Sequence, residues 1–135
     1  MATKIFINLP VKDLAKSINF FSNLGFSFNP RFTDEKAACM IISDHIFAML
    51  LTESYFTTFT PKKVCDTKTT TEVLIALDAA SKEEVQQYIH KASQAGARIY
   101  SAPQDHGWMY QHSFEDLDGH QWEIIYMNEA QLPQN

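Results

Sequence analysis

The chain has 135 residues, an apolar share of 45% and a formal net charge of −5, which is typical of one ordinary globular domain. The acidic balance argues against a nucleic-acid or anionic-membrane partner, because neither surface attracts an acidic protein. No apolar run approaches the roughly 20 residues that a transmembrane helix needs. The N-terminus lacks the apolar core and cleavage site of a signal peptide, so we expect a cytoplasmic protein.

The first part of the chain predicts one strand, one helix and three further strands. Residues 4–11 are apolar enough for a strand, and Asp13 can cap a helix that ends at Gly25. The apolar residues of that helix recur at the helical period. The three strands are predicted at 26–31, 37–42 and 46–51.

The same order of elements then repeats in the second part. A strand is predicted over 72–78, and the helix after it begins at the Ser81 capping box and ends at Gly96. Three more strands are predicted at 97–103, 108–115 and 120–127. We therefore expect a single domain over residues 1–135, with module 1 at about 4–52, a connector at about 53–71 and module 2 at about 72–128.

Each module has the order β-α-β-β-β, which predicts an α+β fold. Two such modules, each with its helix on one sheet face, could pair their sheets into a curved, mixed, half-open barrel. The helix-free faces would then line a concave cleft. Side chains that contact a ligand are expected at inward strand positions of both modules.

The last predicted hairpin places a carboxylate on a face that is otherwise built to be buried. Asp118-Gly119 is a strong turn signal between two strands rich in aromatic and β-branched residues. Glu123 in the second strand would be costly to bury unless a metal, a donor or a substrate contacts it. The period of two places His112 on the same face as Glu123 in the pairings we consider.

Two sequence motifs resemble those of a known family. Residues 11–26 (VKDLAKSINFFSNLGF) resemble the opening motif VxDLxxSxxFYxxLGF of the vicinal oxygen chelate superfamily, and residues 114–123 (FEDLDGHQWE) resemble its closing motif FxDPDGxxxE. That superfamily includes glyoxalase I, extradiol dioxygenases, and the fosfomycin and bleomycin resistance proteins. The resemblance covers almost the whole chain and implies the fold of two β-α-β-β-β modules.

The resemblance also implies a divalent metal held by four strand positions, which correspond here to Phe6, a position within Met49–Leu51 that we assign to Leu50, Glu72 and Glu123. Phe6 and Leu50 cannot coordinate a metal, so two carboxylates remain. His112 could complete a set with Glu72 and Glu123 that suits Zn, Ni, Mn or Fe. The alternative is that Glu72 is an exposed strand-end residue, Glu123 is neutralised by a neighbour, and His112 only lines the cleft.

The remaining candidates concern ligand binding. Asn8 is polar where its neighbours are apolar, and could bind a substrate carbonyl or a structural water. Aromatic residues would form the pocket walls or simply pack the core. The predicted catalytic pair is Glu72 and Glu123, and the predicted ligand-binding residues are Phe6, Asn8, Leu50, Tyr110, His112 and Phe114.

Three functions follow from the resemblance and the residues present. The first is a metal-dependent lyase or dioxygenase with a degenerate metal site, in which Glu72 and Glu123 are ligands or proton carriers. The second is a metal-free protein of the bleomycin-resistance type that sequesters a small molecule. The third is a non-catalytic interaction module. The resemblance implies a homodimer in each case, and the fold alone does not select a substrate or reaction.

Overall fold

The computed structural model describes residues 1–132 and divides into two compact units, Met1–Asp66 and Thr67 onward. The boundary lies within the predicted connector. No helix in this described part of the chain is both long and apolar enough to cross a membrane.

Unit 1 contains four strands and two helices. The strands are β1 (Ile5–Val11), β2 (Ser27–Asn29), β3 (Ala37–Ile41) and β4 (Ile46–Thr52), and the helices are α1 (Leu14–Asn23) and α2 (Glu53–Phe56). The sheet order is β1-β4-β3-β2, with β1 parallel to β4 and the other pairs antiparallel. As predicted, Asp13 caps α1, because its side chain accepts a hydrogen bond from the Lys16 N–H at 3.1 Å.

Unit 2 repeats that topology. Its elements are β5 (Leu74–Asp78), α3 (Lys82–Gln94), β6 (Gln104–Asp105), β7 (Met109–Glu115) and β8 (Gln121–Met127). The sheet order is β5-β8-β7-β6, and β5 is parallel to β8. The Ser81 hydroxyl caps α3 by accepting from the Glu84 N–H at 3.1 Å. The predicted α+β class, with two β-α-β-β-β modules, is confirmed.

Three predicted elements differ from the structure. The strand predicted over 26–31 ends at Asn29, because Pro30 has no N–H to donate and begins a 3-10 turn, Pro30–Phe32. The strand predicted over 97–103 is absent apart from an isolated bridge between Arg98 and Glu115, and β6 forms later and is short. The connector is not structureless, since α2 begins directly after β4.

Each sheet has one face that packs against its helix. In unit 1 this α1 face carries side chains that are almost fully buried: Leu9, Val11, Ala38, Met40, Ala48 and Leu50. In unit 2 the α3 face carries Ile75, Tyr110, Phe114, Trp122 and Ile124. Strand neighbours share a face, so the opposite face of unit 1 carries Phe6, Asn8, Ala37, Met49 and Leu51.

Candidate functional site

A pocket of about 350 Å³ lies within unit 1, on the sheet face opposite α1. Its floor is formed by strand residues, and its walls by the turn after β2 and by the segment that begins with α2. The lining residues are Asn8, Arg31, Phe32, Thr33, Asp34, Ala37, Met49, Leu51, Tyr55 and Phe59. A volume near 300 Å³ is at the small end of ordinary ligand sites, so the pocket is large enough for a compact organic molecule.

The turn after β2 is held in place by side chains that bond to the backbone. The Asn29 side chain accepts from the Arg31 N–H at 3.0 Å. The Thr33 hydroxyl donates to the Asn29 carbonyl at 2.7 Å and accepts from the Cys39 N–H at 3.1 Å. These bonds tie the turn to β3, and so they hold Arg31 and Phe32 at the pocket.

The opposite wall is aromatic. The Thr52 hydroxyl caps α2 by accepting from the Tyr55 N–H at 3.4 Å. The Tyr55 and Phe59 rings then meet edge to face, with centroids 5.0 Å apart and an interplanar angle of 80°. Phe59 is 67% exposed and Phe32 is 63% exposed. Two large apolar rings at a pocket remain open to solvent, which is typical of a surface that buries a ligand.

The charged groups of the pocket are satisfied to different degrees. The Asp34 carboxylate accepts from the Lys36 and Ala37 N–H groups at 2.8 and 3.0 Å. These two hydrogen bonds, helped by the Lys36 charge, lower the pKa of Asp34. Among residues 1–132, the Arg31 guanidinium has neither an ion-pair nor a hydrogen-bond partner. The pocket therefore offers an available cation next to an anion that is already stabilised.

Two neutral polar groups are also available. Neither the Asn8 amide nor the Tyr55 hydroxyl bonds to another group in the described chain. Asn8 is exposed, so water satisfies it in the free protein. Asn8 lines the pocket, and its contact with a substrate carbonyl or a structural water stays a prediction.

The other predicted residues of unit 1 do not line this pocket. Phe6 stacks on Phe47 with ring centroids 5.0 Å apart. The placement of Leu50 on the ligand face is wrong: Leu50 pairs with Leu9 and Ala38 on the α1 face and is fully buried. The error is one residue of strand register, which moves a side chain to the other face.

The register of β7 and β8 also corrects the position of His112. Ser113 lies opposite Glu123 and His112 lies opposite Ile124, so His112 and Glu123 point to opposite faces. The hairpin pairs Phe114 with Trp122, one residue away from a pairing with either Gln121 or Glu123, the two registers that would place His112 on the face of Glu123. His112 Nε2 lies 2.8 Å from the Ser101 carbonyl oxygen, within hydrogen-bond distance.

Tyr110 and Phe114 lie on the same sheet face as His112, so their predicted placement on the Glu123 face is also wrong. Tyr110 is 8% exposed and Phe114 is 1% exposed, beside Trp122 and Ile124. The helix α3 contacts both β7 and β8, and Val85 is one of its buried residues. These two aromatic residues are therefore part of the packing under α3, and not walls on the Glu123 face.

The two predicted catalytic carboxylates are not strand partners. Glu123 pairs with Ala76 of β5, whereas Glu72 lies four residues before Ala76 and outside the strand. Glu72 lies at a bend before β5, so no strand pairing places it beside Glu123. Glu72 is exposed and Glu123 is half-buried. The register does not bring the two side chains to one point.

The metal implied by the family resemblance does not fit these residues. A catalytic metal is usually held by about three protein side chains. Of the four corresponding positions, Phe6 and Leu50 have no donor atom, and Glu72 is displaced from Glu123. No group of three or more His, Cys, Asp or Glu side chains within residues 1–132 could hold an ion. The set of Glu72, Glu123 and His112 therefore does not form a metal site in unit 2.

The most deeply buried carboxylate among residues 1–132 is Asp116, which was not among the predicted site residues. Asp116 is 7% exposed, and it accepts from the Asp118 and His120 N–H groups at 2.9 and 3.0 Å and from Trp122 Nε1 at 3.0 Å. Burial raises the pKa of Asp116. The signal was present, because an Asp two residues before Asp118 is typical of a side chain that bonds the backbone of its own turn. Its role is to organise the β7–β8 turn.

Most residues of the unit 1 pocket were also not predicted. The capping pattern Thr52-Glu-Ser-Tyr55 could have predicted α2 inside the supposed connector. The pair Asn29-Pro30 likewise indicates a turn where a strand was expected. No pattern in the sequence shows that these two segments meet across the same sheet face.

The comparisons with known proteins agree with this architecture. Residues 5–124 match the model of the Glyoxalase/Bleomycin resistance protein/Dioxygenase superfamily. No curated protein matches the chain. A hypothetical protein from S. aureus is 28% identical, with a TM-score of 0.80 over 93% of this chain and 94% of that one.

Two further solved structures share the fold at lower identity. A glyoxalase/bleomycin resistance protein/dioxygenase family enzyme from Burkholderia phytofirmans is 16% identical, with a TM-score of 0.75 over 90% of this chain and 96% of that one. A genomically encoded fosfomycin resistance protein from Listeria monocytogenes is 20% identical, with a TM-score of 0.69 over 96% and 97% of the two chains. Because the family model matches nearly the whole chain, the protein belongs to the Glyoxalase/Bleomycin resistance protein/Dioxygenase superfamily.

Proposed function

We propose that this protein binds a small aromatic molecule in the unit 1 pocket without a metal. The observation that carries the proposal is the pocket itself. It has a floor of Ala37, Met49 and Leu51, and it has exposed rings at Phe32 and Phe59. An aromatic ligand would remove these rings from water, which stabilises the complex by the hydrophobic effect and by ring contacts.

The metal-dependent lyase or dioxygenase is the weaker candidate. Its chemistry needs a Lewis acid held by about three donors, and the implied positions supply too few. Glu123 on β8 has Ser113 and Ala76 as its strand neighbours, neither of which is a strong metal ligand. The interaction module is also weaker, because the unit 1 pocket has a volume suited to a small molecule.

The binding proposal can be tested with small aromatic probes. Purified protein in EDTA is titrated with 2-naphthol, and binding is followed by ligand-observed NMR and calorimetry. Phe59→Ala removes one pocket ring and its edge-to-face contact, so we expect affinity to fall roughly tenfold, the equivalent of about 1.4 kcal/mol for an aromatic contact. Saturable binding to the wild type, weakened in this variant, would support the proposal.

Phe6→Ala is the matched control. Phe6 is also exposed, at 52%, lies on the same sheet face and makes one aromatic pair, with Phe47. It does not line the pocket. Affinity for 2-naphthol should be unchanged in this variant. No binding to the wild type, or equal losses in both variants, would contradict the proposed site.

Homodimerisation and a cytoplasmic location stay predictions. Sedimentation velocity would test the first, and a dimer would leave the binding proposal unchanged, since the described pocket is formed by residues of one unit. Fractionation of the producing cell would test the second.

A further inference from the structure

We propose that the ligand of the unit 1 pocket is an aromatic carboxylate, and that Arg31 binds its anionic group. This inference rests on the proposed binding function and adds the charge and class of the ligand. Two charged residues line the pocket, Arg31 and Asp34. They are not equivalent, because only one of them is satisfied within the protein.

The Asp34 carboxylate is already stabilised as an anion. Two backbone N–H groups donate to its Oδ1 atom, at 2.8 and 3.0 Å. These bonds also close the turn that leads into β3. A ligand cation at Asp34 would therefore meet a carboxylate whose charge is already partly offset by donors.

Arg31 is in the opposite situation. Its guanidinium carries five N–H donors, and none of them contacts an acceptor among the described residues. Its backbone, by contrast, is held by the Asn29 side chain. An arginine with a fixed backbone and an available head group is suited to bind a carboxylate with two parallel hydrogen bonds.

The remaining groups favour an aromatic body for this anion. Phe32 is the next residue along the chain from Arg31, and Phe59 and Tyr55 form the facing wall. Lys36 Nζ lies 5.9 Å from the Tyr55 ring centroid, so a second cation is close to that wall. Asn8 and the Tyr55 hydroxyl could contact a polar ring substituent. The local charge is thus suited to an anion although the whole chain has a net charge of −5.

The test uses three probes of one shape and different charge. Calorimetry in EDTA at low ionic strength compares 2-naphthoate, the neutral 2-naphthamide and the cationic 2-naphthylmethylamine. We expect 2-naphthoate to bind about tenfold more tightly than the amide, because hydrogen bonds to charged groups are stronger than neutral ones. Its affinity should fall as salt is added.

Arg31→Gln removes the charge and should bring 2-naphthoate to the affinity of the amide. Arg98→Gln is the matched control, since Arg98 is the other arginine of the chain and lies in unit 2, where it pairs with Glu115 at 3.2 Å. It changes the net charge equally, so an unchanged affinity there would exclude a general charge effect. Both side chains are exposed, and circular dichroism checks that the variants fold.

The outcomes separate this inference from the proposed function. Equal binding of naphthoate and naphthamide, unaffected by Arg31→Gln, would overturn the anion assignment and leave the aromatic pocket supported. Tightest binding of the amine would also overturn it, because Asp34 would then dominate. Failure of all three probes to bind would contradict the proposed function together with the inference.

Discussion

After β4 in unit 1, the chain forms α2, which places Tyr55 and then Phe59 at the pocket, whereas the residues described after β8 in unit 2 form an exposed 3-10 turn, Glu129–Gln131. The segments that follow the second strand of each unit also differ. Unit 1 has the Pro30–Phe32 turn with its pocket residues, and unit 2 has a short β6 that leads into Gly107. Because the two units have the same strand order, the pocket of unit 1 depends on the segments between its strands. Functional residues generally lie on such loops.

A second difference concerns how each unit uses a turn carboxylate. Asp34 of unit 1 is exposed and bonds to two N–H groups of its own turn. Asp116 of unit 2 does the same for its turn, but it is buried and also bonds to the Trp122 indole. We therefore expect the stability of the protein to depend more strongly on the turn of unit 2.

The largest effect is expected at Gly119 in that turn. Gly119 has a φ of +85°, and an added Cβ would lie 2.6 Å from Thr67 Oγ1 and 2.9 Å from Thr67 Cβ. Gly119→Ala should cost about 1–2 kcal/mol for the left-handed backbone and about 1–3 kcal/mol more for the clash. Urea denaturation measures the free energy of unfolding.

Gly107→Ala separates these two costs. Gly107 has a similar φ of +80°, but an added Cβ would meet nothing within 4 Å. Only the backbone cost of about 1–2 kcal/mol is expected there. Equal losses in the two variants would mean that Thr67, whose hydroxyl donates to the Asp118 carbonyl, moves aside without cost.

The next effect is expected at Asp116. Asp116→Asn keeps the shape but can turn an amide donor toward the Trp122 indole N–H, so we expect a loss of about 1–3 kcal/mol. Asp34→Asn is the matched change in unit 1 and should cost less, because solvent reaches that turn. A larger loss of stability in Asp34→Asn than in Asp116→Asn would contradict the expectation that stability depends more on the turn of unit 2.

Asp116 and Asp34 should change the stability of the protein with pH in opposite directions. Burial raises the pKa of Asp116, so the stability that its protonation contributes is present below the ordinary aspartate value of 3.8 and is lost as the pH rises through the raised pKa. Backbone donors lower the pKa of Asp34, so its contribution is present above 3.8 and is lost as the pH falls through the lowered pKa. Unfolding of each variant and the wild type from pH 3 to 8 should show these opposite trends.

The smallest effect is expected for Glu123→Gln on the metal content of the protein. Because Glu72 is displaced from Glu123 and His112 faces the other side of the sheet, neither the wild type nor Glu123→Gln should retain a stoichiometric ion. Elemental analysis after incubation with Ni, Mn, Fe or Zn and gel filtration provides the measurement. About one equivalent per chain in the wild type, lost in Glu123→Gln, would restore the metal-enzyme hypothesis.

The local signals of the sequence were sufficient for the main elements of the fold. Asp13 and Ser81 cap their helices as predicted, since a cap needs only a side chain and the N–H three residues later. The Asp118-Gly119 turn also forms, because a glycine at positive φ is a local requirement. The two motifs at the ends of the chain led to the correct superfamily.

The candidate site was less predictable, because it depends on register and on contacts between distant segments. A one-residue difference in the β7–β8 pairing moved His112, Tyr110 and Phe114 away from Glu123. Leu50 was misplaced in the same way, while Asn8 does line the unit 1 pocket.

The sequence by itself determined the superfamily, the alternation of strands with α1 and α3 and the positions of the caps of these two helices, because each of these signals depends on residues close together in the chain. Only the tertiary structure decided which side chains share a face, that Asp116 and not Glu123 is the buried carboxylate, and that Arg31 and Phe59 line one pocket. The physical reason is that strand pairing places distant residues side by side, and no local pattern sets that alignment to within one residue.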